Sequence, residues 1–537
     1  MRLTILSFIL LLCLSSAAQD ISRPKLVVGI VVDQMRWDYL YRFQDRYSSG
    51  GFKRLLREGF SCENTLIPYT PTHTAPGHAC VYTGSVPALH GIMGNYWYDR
   101  HQKRLVYCTE DTTEHTIGSN STAGKMSPRL LWSSTITDEL RLATNFRSKT
   151  ISIAMKDRAA ILPGGHASNG SYWFDNASGG WITSSFYMEQ LPDWMVQFNS
   201  QKLPEFYMKQ PWKPLFPIST YHQSTSDSNA FEAKMPGGDM MFPHDFVASG
   251  NHRYEAFRTS PAACTYTFET AKAAIVGEKL GADEITDFLA ISLSSPDYIG
   301  HTFGPNSIEV EDTYLRLDRD LETFLKYLDA RIGKGQYLVF LTSDHAAAHN
   351  PTFLSSHKIA GGSYDPGAVK RQLNDSLANV FHVTPLIEHY SNYQFFLNDS
   401  LIRAEKISKQ EVKNYLSELL IKHHAISQVV DLANIDGAML PSPVDMMVAN
   451  GYNQKLSGDL QVIVKPQWME HHRVGTSHGH WNPYDAHIPL LWFGWKVPQG
   501  KTNRQVLMTD IAATLAAILH IQAPSASIGH VIEEVVR

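Results

Sequence analysis

Six acidic and imidazole side chains close short apolar runs in this 537-residue chain, and their types are those of metal ligands. Asp33 ends "KLVVGIVVDQ" (25–34). Asp297 ends "DFLAISLSSPD" (287–297), with His301 four residues on; Asp344 and His345 end "YLVFLTSDH" (337–345), and His478 stands in "GTSHGHWNPYDAHIP". Oxygen and nitrogen donors of this kind suit Zn²⁺, which takes about four ligands and tolerates an open position; six such residues are enough for two ions, and cobalt or manganese fits the same donors. Singly, an Asp after a strand reads as a helix N-cap and a His as a satisfied polar group. The joint pattern of Asp-x-x-x-His, Asp-His and a late His-Gly, all after strand-like runs, argues for ligation. His349, His471, His472, His480 and His487 lie close to these motifs and are expected to be structural or to support the ligands.

Two further groups could complete a reactive centre. "PTHTAPGH" (71–78) carries two threonine hydroxyls, which are poor nucleophiles unless a cation lowers their pKa, and the stretch after them can open a helix whose free N–H groups favour phosphate. Lys156 and Arg158, alternate residues of "AMKDRAA" past another apolar run (150–158), could both enter one cleft, where a guanidinium fork matches two phosphate oxygens; the alternative is a surface charge pair. Asn95 could hold another phosphate oxygen through its amide.

The elements that must position these residues are legible as near-continuous, β-branched runs at 25–34, 150–158, 287–297 and 337–345, the mark of a sheet buried on both faces. Apolar residues recurring at three and four residues over 308–332 predict a helix. The fold class is therefore α/β with a mainly parallel sheet between helices, and ligands should gather beyond the carboxyl ends of the strands. Residues 170–265, rich in Trp, Tyr, Phe, Pro and Ser, are expected to form an irregular insertion over the site. Residues 385–470, with strand-like "NYQFFLND", "ISQVVDLAN" and "LQVIVKP" around a helix begun by Ser408 and Glu411, predict a small inserted α+β subdomain. The core is left as 19–169, 266–384 and 471–537.

Composition limits the partners. Arg2, the apolar run "LTILSFILLLCL" and "SSAAQD" read as a secretory signal peptide (1–18) cleaved near Ala18, which implies a periplasmic or secreted protein; "LLLC" lacks the small residues of a lipoprotein site. Removing Arg2 takes the formal charge from -5 to -6, leaving no basic footprint for nucleic acid. No later run approaches the ~18 apolar residues of a membrane span. Cys62, Cys80, Cys108 and Cys264 could form up to two disulfides or remain buried thiols. Oligomeric state leaves no signal here, and a monomer suffices.

The motifs "VVDQMRWDYL", "PTHTAPGH", "SSPDYIGH", "TSDH" and "SHG" occur in the order used by the alkaline phosphatase superfamily. "KDR" and "HGIMGN" resemble, more closely, the PafA-type, phosphate-irrepressible alkaline phosphatases, over nearly the whole mature chain. The resemblance implies an alkaline-phosphatase-like core. It puts one zinc on Asp297, His301 and His478 and the other on Asp33, Asp344 and His345 beside Thr74, and it makes Thr74 the nucleophile with Thr72 as framework. Asn95, Lys156 and Arg158 would hold the phosphate, with Asp157 facing away. The implied activity is hydrolysis of phosphate monoesters of small metabolites through a phosphothreonine intermediate. Sulfatases share the fold but need a Cys/Ser-x-Pro-x-Arg motif that "THTAPGH" lacks. Nucleotide pyrophosphatase-type phosphodiesterases use the same ligand types, and the Lys156/Arg158 pair is what argues against them. A catalytically silent, metal-stabilised binding protein is the remaining alternative.

Overall fold

Leu26–Val32 is a strand with all seven residues buried, and it is the centre of the molecule. In the computed structural model, which describes residues 22–471 and 473–536, it pairs in parallel with Tyr337–Thr342 on one side and Asp287–Leu293 on the other. Thr150–Ala154 adds in parallel beyond Asp287–Leu293, so the four apolar runs lie side by side. Their composition follows from this position: Leu26, Val28, Ile30 and Val32 enter one hydrophobic core while Val27 and Val31 enter the opposite one, so neither face tolerates polar residues. Antiparallel Leu490–Gly494 follows Tyr337–Thr342, and Phe60–Leu66 lies beyond it, within a sheet of eleven strands among the described residues.

The predicted helix over 308–332 runs from Ile308 to Leu328, capped by the Ser307 hydroxyl, which accepts from the Val310 amide. Residues 170–184 differ from the expected irregular insertion. Gly170–Asp175 pairs in parallel with Thr150–Ala154, and Gly180–Ser184 returns antiparallel to it. The aromatic residues that disguised these strands form the interior: Trp173, Trp181 and Tyr172 are fully buried. Irregular backbone with short helices follows, from 185 to 261.

A second, four-stranded antiparallel sheet is built from Ile387–Ser391, Gln394–Leu397, Leu460–Val464 and Ile426–Asp431. Its own core includes Val412 and Leu416 of the helix Lys409–Leu420, whose N-cap is Ser408, and Leu373 and Leu377 of the helix Pro366–Phe381. All four cysteines outside the leader are free and buried. Among the described residues no helix is long and apolar enough to cross a membrane. The leader and His472 lie outside the described residues.

Candidate active site

The carboxyl ends of the parallel strands bring the ligand candidates to one place, because each strand ends where its polar residue begins. Asp33 follows Val32, Asp344 lies two residues past Thr342, and Asp297 stands in the first turn of the helix Ser295–Phe303, with His301 one turn further on the same face. His478 arrives from a loop near the C-terminal end of the chain. Asp33, Asp344 and His345 place their ligand atoms within 4.8 Å of one another, and Asp297, His345 and His478 form a second such group. His345 thus lies between the groups. His301 Nε2 is 3.2 Å from Asp297 Oδ1, and His478 Nε2 is 3.7 Å from the same oxygen.

The imidazole orientations fit cations. His301 Nδ1 donates to the Thr476 carbonyl at 2.8 Å, His345 Nδ1 to the Ala346 carbonyl at 3.0 Å and His478 Nδ1 to the Thr72 carbonyl at 2.7 Å. Burial lowers His345 and His478, and each neutral ring then turns the lone pair of Nε2 toward carboxylates, which is repulsive unless something positive lies between them; at His301 burial also works downward, but Asp297 outweighs it and raises that ring. This backbone anchoring is what metal-ligating histidines require. Asp33 Oδ1 and Asp344 Oδ2 are buried with no hydrogen-bond donor. Burial and the neighbouring charges of Asp297 and Asp344 push Asp33 well above the usual carboxylate range. Burial works the same way on Asp344, but His345 and His78 outweigh it and bring Asp344 down to about 2. The residues therefore suit a pair of divalent ions.

Thr74 is the first residue of the helix Thr74–Thr83 and is buried; the N-cap is His73, so Thr74 does not serve as the cap. Its Oγ1 lies 3.5 Å from His345 Nε2 and accepts from Lys156 Nζ at 3.4 Å. Thr72, also buried, donates from Oγ1 to the His480 carbonyl at 3.1 Å. The helix packs so closely on the strand ends that a Cβ at Gly77 would collide with the Asp344 carbonyl.

Lys156 bridges the two ligand groups, with Nζ 2.7 Å from Asp33 Oδ2 and 2.6 Å from Asp297 Oδ2. Asn95 Oδ1 accepts from the Ala75 amide at 2.9 Å, which ties it to the Thr74 helix. Arg158 is oriented by Tyr107, whose hydroxyl accepts from Nη1 at 3.1 Å and donates to Asp157 Oδ1 at 2.5 Å. Lys156 and Arg158 share a cleft of about 270 Å³ with Arg258, Tyr107 and Tyr298; Asp157, expected to face away, also lines it, held there by Tyr107.

Three contributors were missed in the sequence. Gln34, held at φ 65°, donates from Nε2 to Asp297 Oδ1 at 2.6 Å. His78 lies one helical turn past Thr74, donates to its carbonyl and comes within 3.4 Å of Asp344 Oδ2; its i+4 spacing was the available signal. Tyr107 gave none, since its role depends on a hairpin bringing it to Arg158. Of the remaining histidines, His349 Nδ1 accepts from Asn306, His480 meets the Tyr393 hydroxyl at 3.3 Å, His487 donates to the Glu63 carbonyl, and His471 is largely exposed.

A mainly parallel sheet with two carboxylate–imidazole groups at its carboxyl edge defines a metal-dependent hydrolase of the alkaline phosphatase superfamily. The chain belongs to the type I phosphodiesterase / nucleotide pyrophosphatase family, whose sequence model matches residues 27–485. It is 51% identical, over 97% of its length and 94% of the relative's, to a protein named alkaline phosphatase PhoV from Synechococcus elongatus. A Myroides odoratus protein named calcium-transporting ATPase is 50% identical over 97% of this chain and 96% of its own length. A crystal structure of alkaline phosphatase PafA with a threonine, an asparagine, a lysine and an arginine substituted matches with a TM-score of 0.94 at 44% identity, covering 97% of this chain and all of that one.

Proposed function

We propose that the chain is an exported two-zinc alkaline phosphatase that hydrolyses phosphate monoesters of small metabolites through a phosphothreonine intermediate. The observation that carries this is the setting of Thr74 Oγ1, in contact with Lys156 Nζ and His345 Nε2 at the first turn of a buried helix between the two ligand groups. Asp297, His301 and His478 would hold one ion and Asp33, Asp344 and His345 the other. Bound there, divalent ions would lower the pKa of the threonine hydroxyl, stabilise the leaving oxygen and activate water.

The chain's own residues account for the rest. Thr74 attacks phosphorus in line; the first turn of its helix offers few amides of its own, because Asn95 Oδ1 takes the Ala75 amide, Pro76 has none and the Gly77 amide donates to the His73 carbonyl. Asn95, Lys156 and Arg158 bind those oxygens, and Tyr107 holds the guanidinium in place. The four residue types substituted in the PafA structure are the four assigned here to attack and phosphate binding, which supports the assignment.

A second reading, phosphodiester hydrolysis, is favoured by the family's own description. Against it stand the cations Lys156 and Arg158, which match the free oxygens of a monoester dianion, and the name of the Synechococcus relative. The Myroides relative's name joins ATP hydrolysis to ion transport. Its hydrolytic half concerns a terminal phosphoryl group with the same three free oxygens as a monoester. Initial rates on matched aryl phosphate monoesters and diesters, with zinc supplied, decide between the two: a preference for diesters would overturn the phosphatase reading. Export rests on the leader "LTILSFILLLCL" and is tested by the N-terminal mass of protein recovered outside the cytoplasm, which should begin near Gln19.

A further inference from the structure

The cleft that holds Lys156 and Arg158 contains a third cation, to which the hydrolysis of a simple monoester gives no task. Arg258 is the last residue of the helix Arg253–Arg258. Its guanidinium lies over the ring of Tyr298, 4.8 Å from the centroid, and Nη1 donates to the Tyr298 hydroxyl at 3.2 Å. Lys156 Nζ lies 5.0 Å from the centroid of the same ring. One aromatic ring therefore separates Arg258 from the ammonium that donates to Thr74 Oγ1. Tyr298 is fixed in its turn, because it follows Asp297 on the helix Ser295–Phe303.

The charges of the cleft are unequally matched. Lys156 is paired with Asp33 and Asp297, and Arg158 Nη1 lies 3.9 Å from Asp157 Oδ1. Among the described residues no carboxylate forms an ion pair with Arg258, and its buried Nε has no hydrogen-bond partner. Two acids line the cleft, but both are engaged elsewhere. Asp157 Oδ1 accepts from the Tyr107 hydroxyl and the Arg158 amide, and Asp175 accepts from the Ala177 and Ser178 amides. A half-buried guanidinium is costly to hold without an anion, and its fork matches two phosphate oxygens.

The position of the cleft says where such an anion would come from. Thr150–Ala154 ends just before Lys156, and its parallel neighbour Gly170–Asp175 ends in the cleft wall. The cleft thus continues the carboxyl edge of the sheet one strand beyond the phosphate-binding pair, along the line on which ligands of such sheets lie. Its volume of about 270 Å³ is near the lower end of small-ligand pockets, which suits a compact polar group.

We infer that Arg258 recognises a second phosphoryl group on the leaving side of the substrate, so that the site takes phosphoanhydrides, inorganic diphosphate among them, as well as simple monoesters. The inference rests on the phosphatase reading of Thr74. In the step it serves, Thr74 Oγ1 forms a bond to one phosphorus while the bridging P–O bond breaks, and the bridging oxygen leaves with the electron pair as part of the phosphate held by Arg258. The hydroxyl proton of Thr74 passes to solvent. Water then splits the phosphothreonine, which releases the second phosphate and restores the hydroxyl.

Initial rates of wild type, Arg258→Gln, Arg258→Lys and Tyr298→Phe on inorganic diphosphate and on an aryl phosphate, with free zinc held constant, test this. Arg258→Gln should lower the ratio of kcat/KM on diphosphate to kcat/KM on the aryl phosphate about tenfold or more, mostly through a higher KM for diphosphate. Arg258→Lys keeps the charge without the fork and should lose less. Tyr298→Phe keeps the ring and removes the hydroxyl that receives Arg258, so it should reproduce part of the loss even where Arg258→Gln fails to fold. An Arg258 that only steadies Tyr298 beside Asp297 would depress both substrates together, and an unmoved ratio in these variants overturns the inference. So does a wild type that hydrolyses the aryl phosphate but not diphosphate. A ratio that moves for an aryl phosphate bearing a carboxylate, and not for diphosphate, replaces the phosphoryl subsite with a carboxylate one. A wild type that prefers aryl diesters to monoesters defeats the phosphatase reading itself, and this inference with it.

Discussion

The rings of His345 and His478 stack face to face, with centroids 3.5 Å apart and planes within 12°. Each ring is turned by a backbone carbonyl on its Nδ1, so the stack points both Nε2 atoms at the carboxylates: that of His345 toward Asp33 and Asp344, that of His478 toward Asp297. The two ligand groups are therefore mechanically joined, and a change in one ring disturbs the other.

Metal content should show this coupling. His345→Ala should lower retained zinc at both groups and cost on the order of a hundredfold or more in metal affinity, since even outer partners of metal ligands are typically worth ten- to a hundredfold. His349→Ala, a ring that accepts from Asn306 instead, should leave metal content unchanged. Chelation should abolish turnover and zinc restore it; full activity in a preparation that elemental analysis shows to lack transition metal would refute the metal assignment.

The hydroxyl of Thr74 is open to a direct test. Thr74→Ala should lose on the order of a thousandfold or more in kcat while retaining fold and metal, whereas Thr74→Ser keeps a hydroxyl and should retain part of the rate. Thr72→Ala, which removes only a donor to the His480 carbonyl, should lose far less. A phosphorylated Thr74 peptide trapped by rapid acid quench is expected from wild type. Wild-type turnover in Thr74→Ala would move the chemistry to water acting in a single step.

Stability should depend on pH through His166 and Asp138, which lie 3.2 Å apart. The hydrogen bond to Asp138 raises His166 above its ordinary 6.5, so its contribution is complete below that value and lost as pH rises through the raised one. Burial works to raise Asp138, but hydrogen bonds, first that from His166, lower it below 3.8; its contribution is present above 3.8 and lost as pH falls through the lowered value. The melting-temperature gap between wild type and His166→Gln should be wider at pH 5.5 than at pH 8.5. The effect should be modest, because the His166 side chain is 41% exposed and solvent screens the pair. An equal gap at both pH values would mean that the imidazole serves only as a neutral donor.

The sequence made the strands and their terminal acids legible for one physical reason: a strand buried on both faces is largely apolar, so the first acid after it stands out. Asp33, Asp297 and Asp344 were visible in that way. Gly170–Asp175 and Gly180–Ser184 were not, because aromatic residues at buried positions look the same in a strand as in an irregular cover, and only pairing with Thr150–Ala154 distinguishes them. Gln34 stood next to Asp33 in the same motif, but its role needs a left-handed backbone turn that no pattern of residue types announces. Tyr107 depends on a contact 51 residues along the chain, beyond the reach of any local period.

Lys156 and Arg158 should decide between monoester and diester. A monoester dianion spreads its charge over three free oxygens, so two fixed cations should stabilise its transition state more than that of a singly charged diester. Each charge-assisted contact contributes on the order of 1.5–3 kcal/mol, and losing both should therefore cost monoester hydrolysis about a hundredfold or more. Diester hydrolysis should fall much less, so Lys156→Ala with Arg158→Ala should erode the preference for monoesters. Lys156 complicates the single variants, because its ammonium also bridges Asp33 and Asp297, and its removal should tighten rather than weaken cation binding between them. Arg158 has no such second task. Tyr107→Phe, which frees the guanidinium without removing it, should then reproduce part of the Arg158→Ala loss on monoesters and little of it on diesters. Matched losses on both ester classes in Arg158→Ala and Tyr107→Phe would assign the pair to general structure and remove the ground for preferring monoesters.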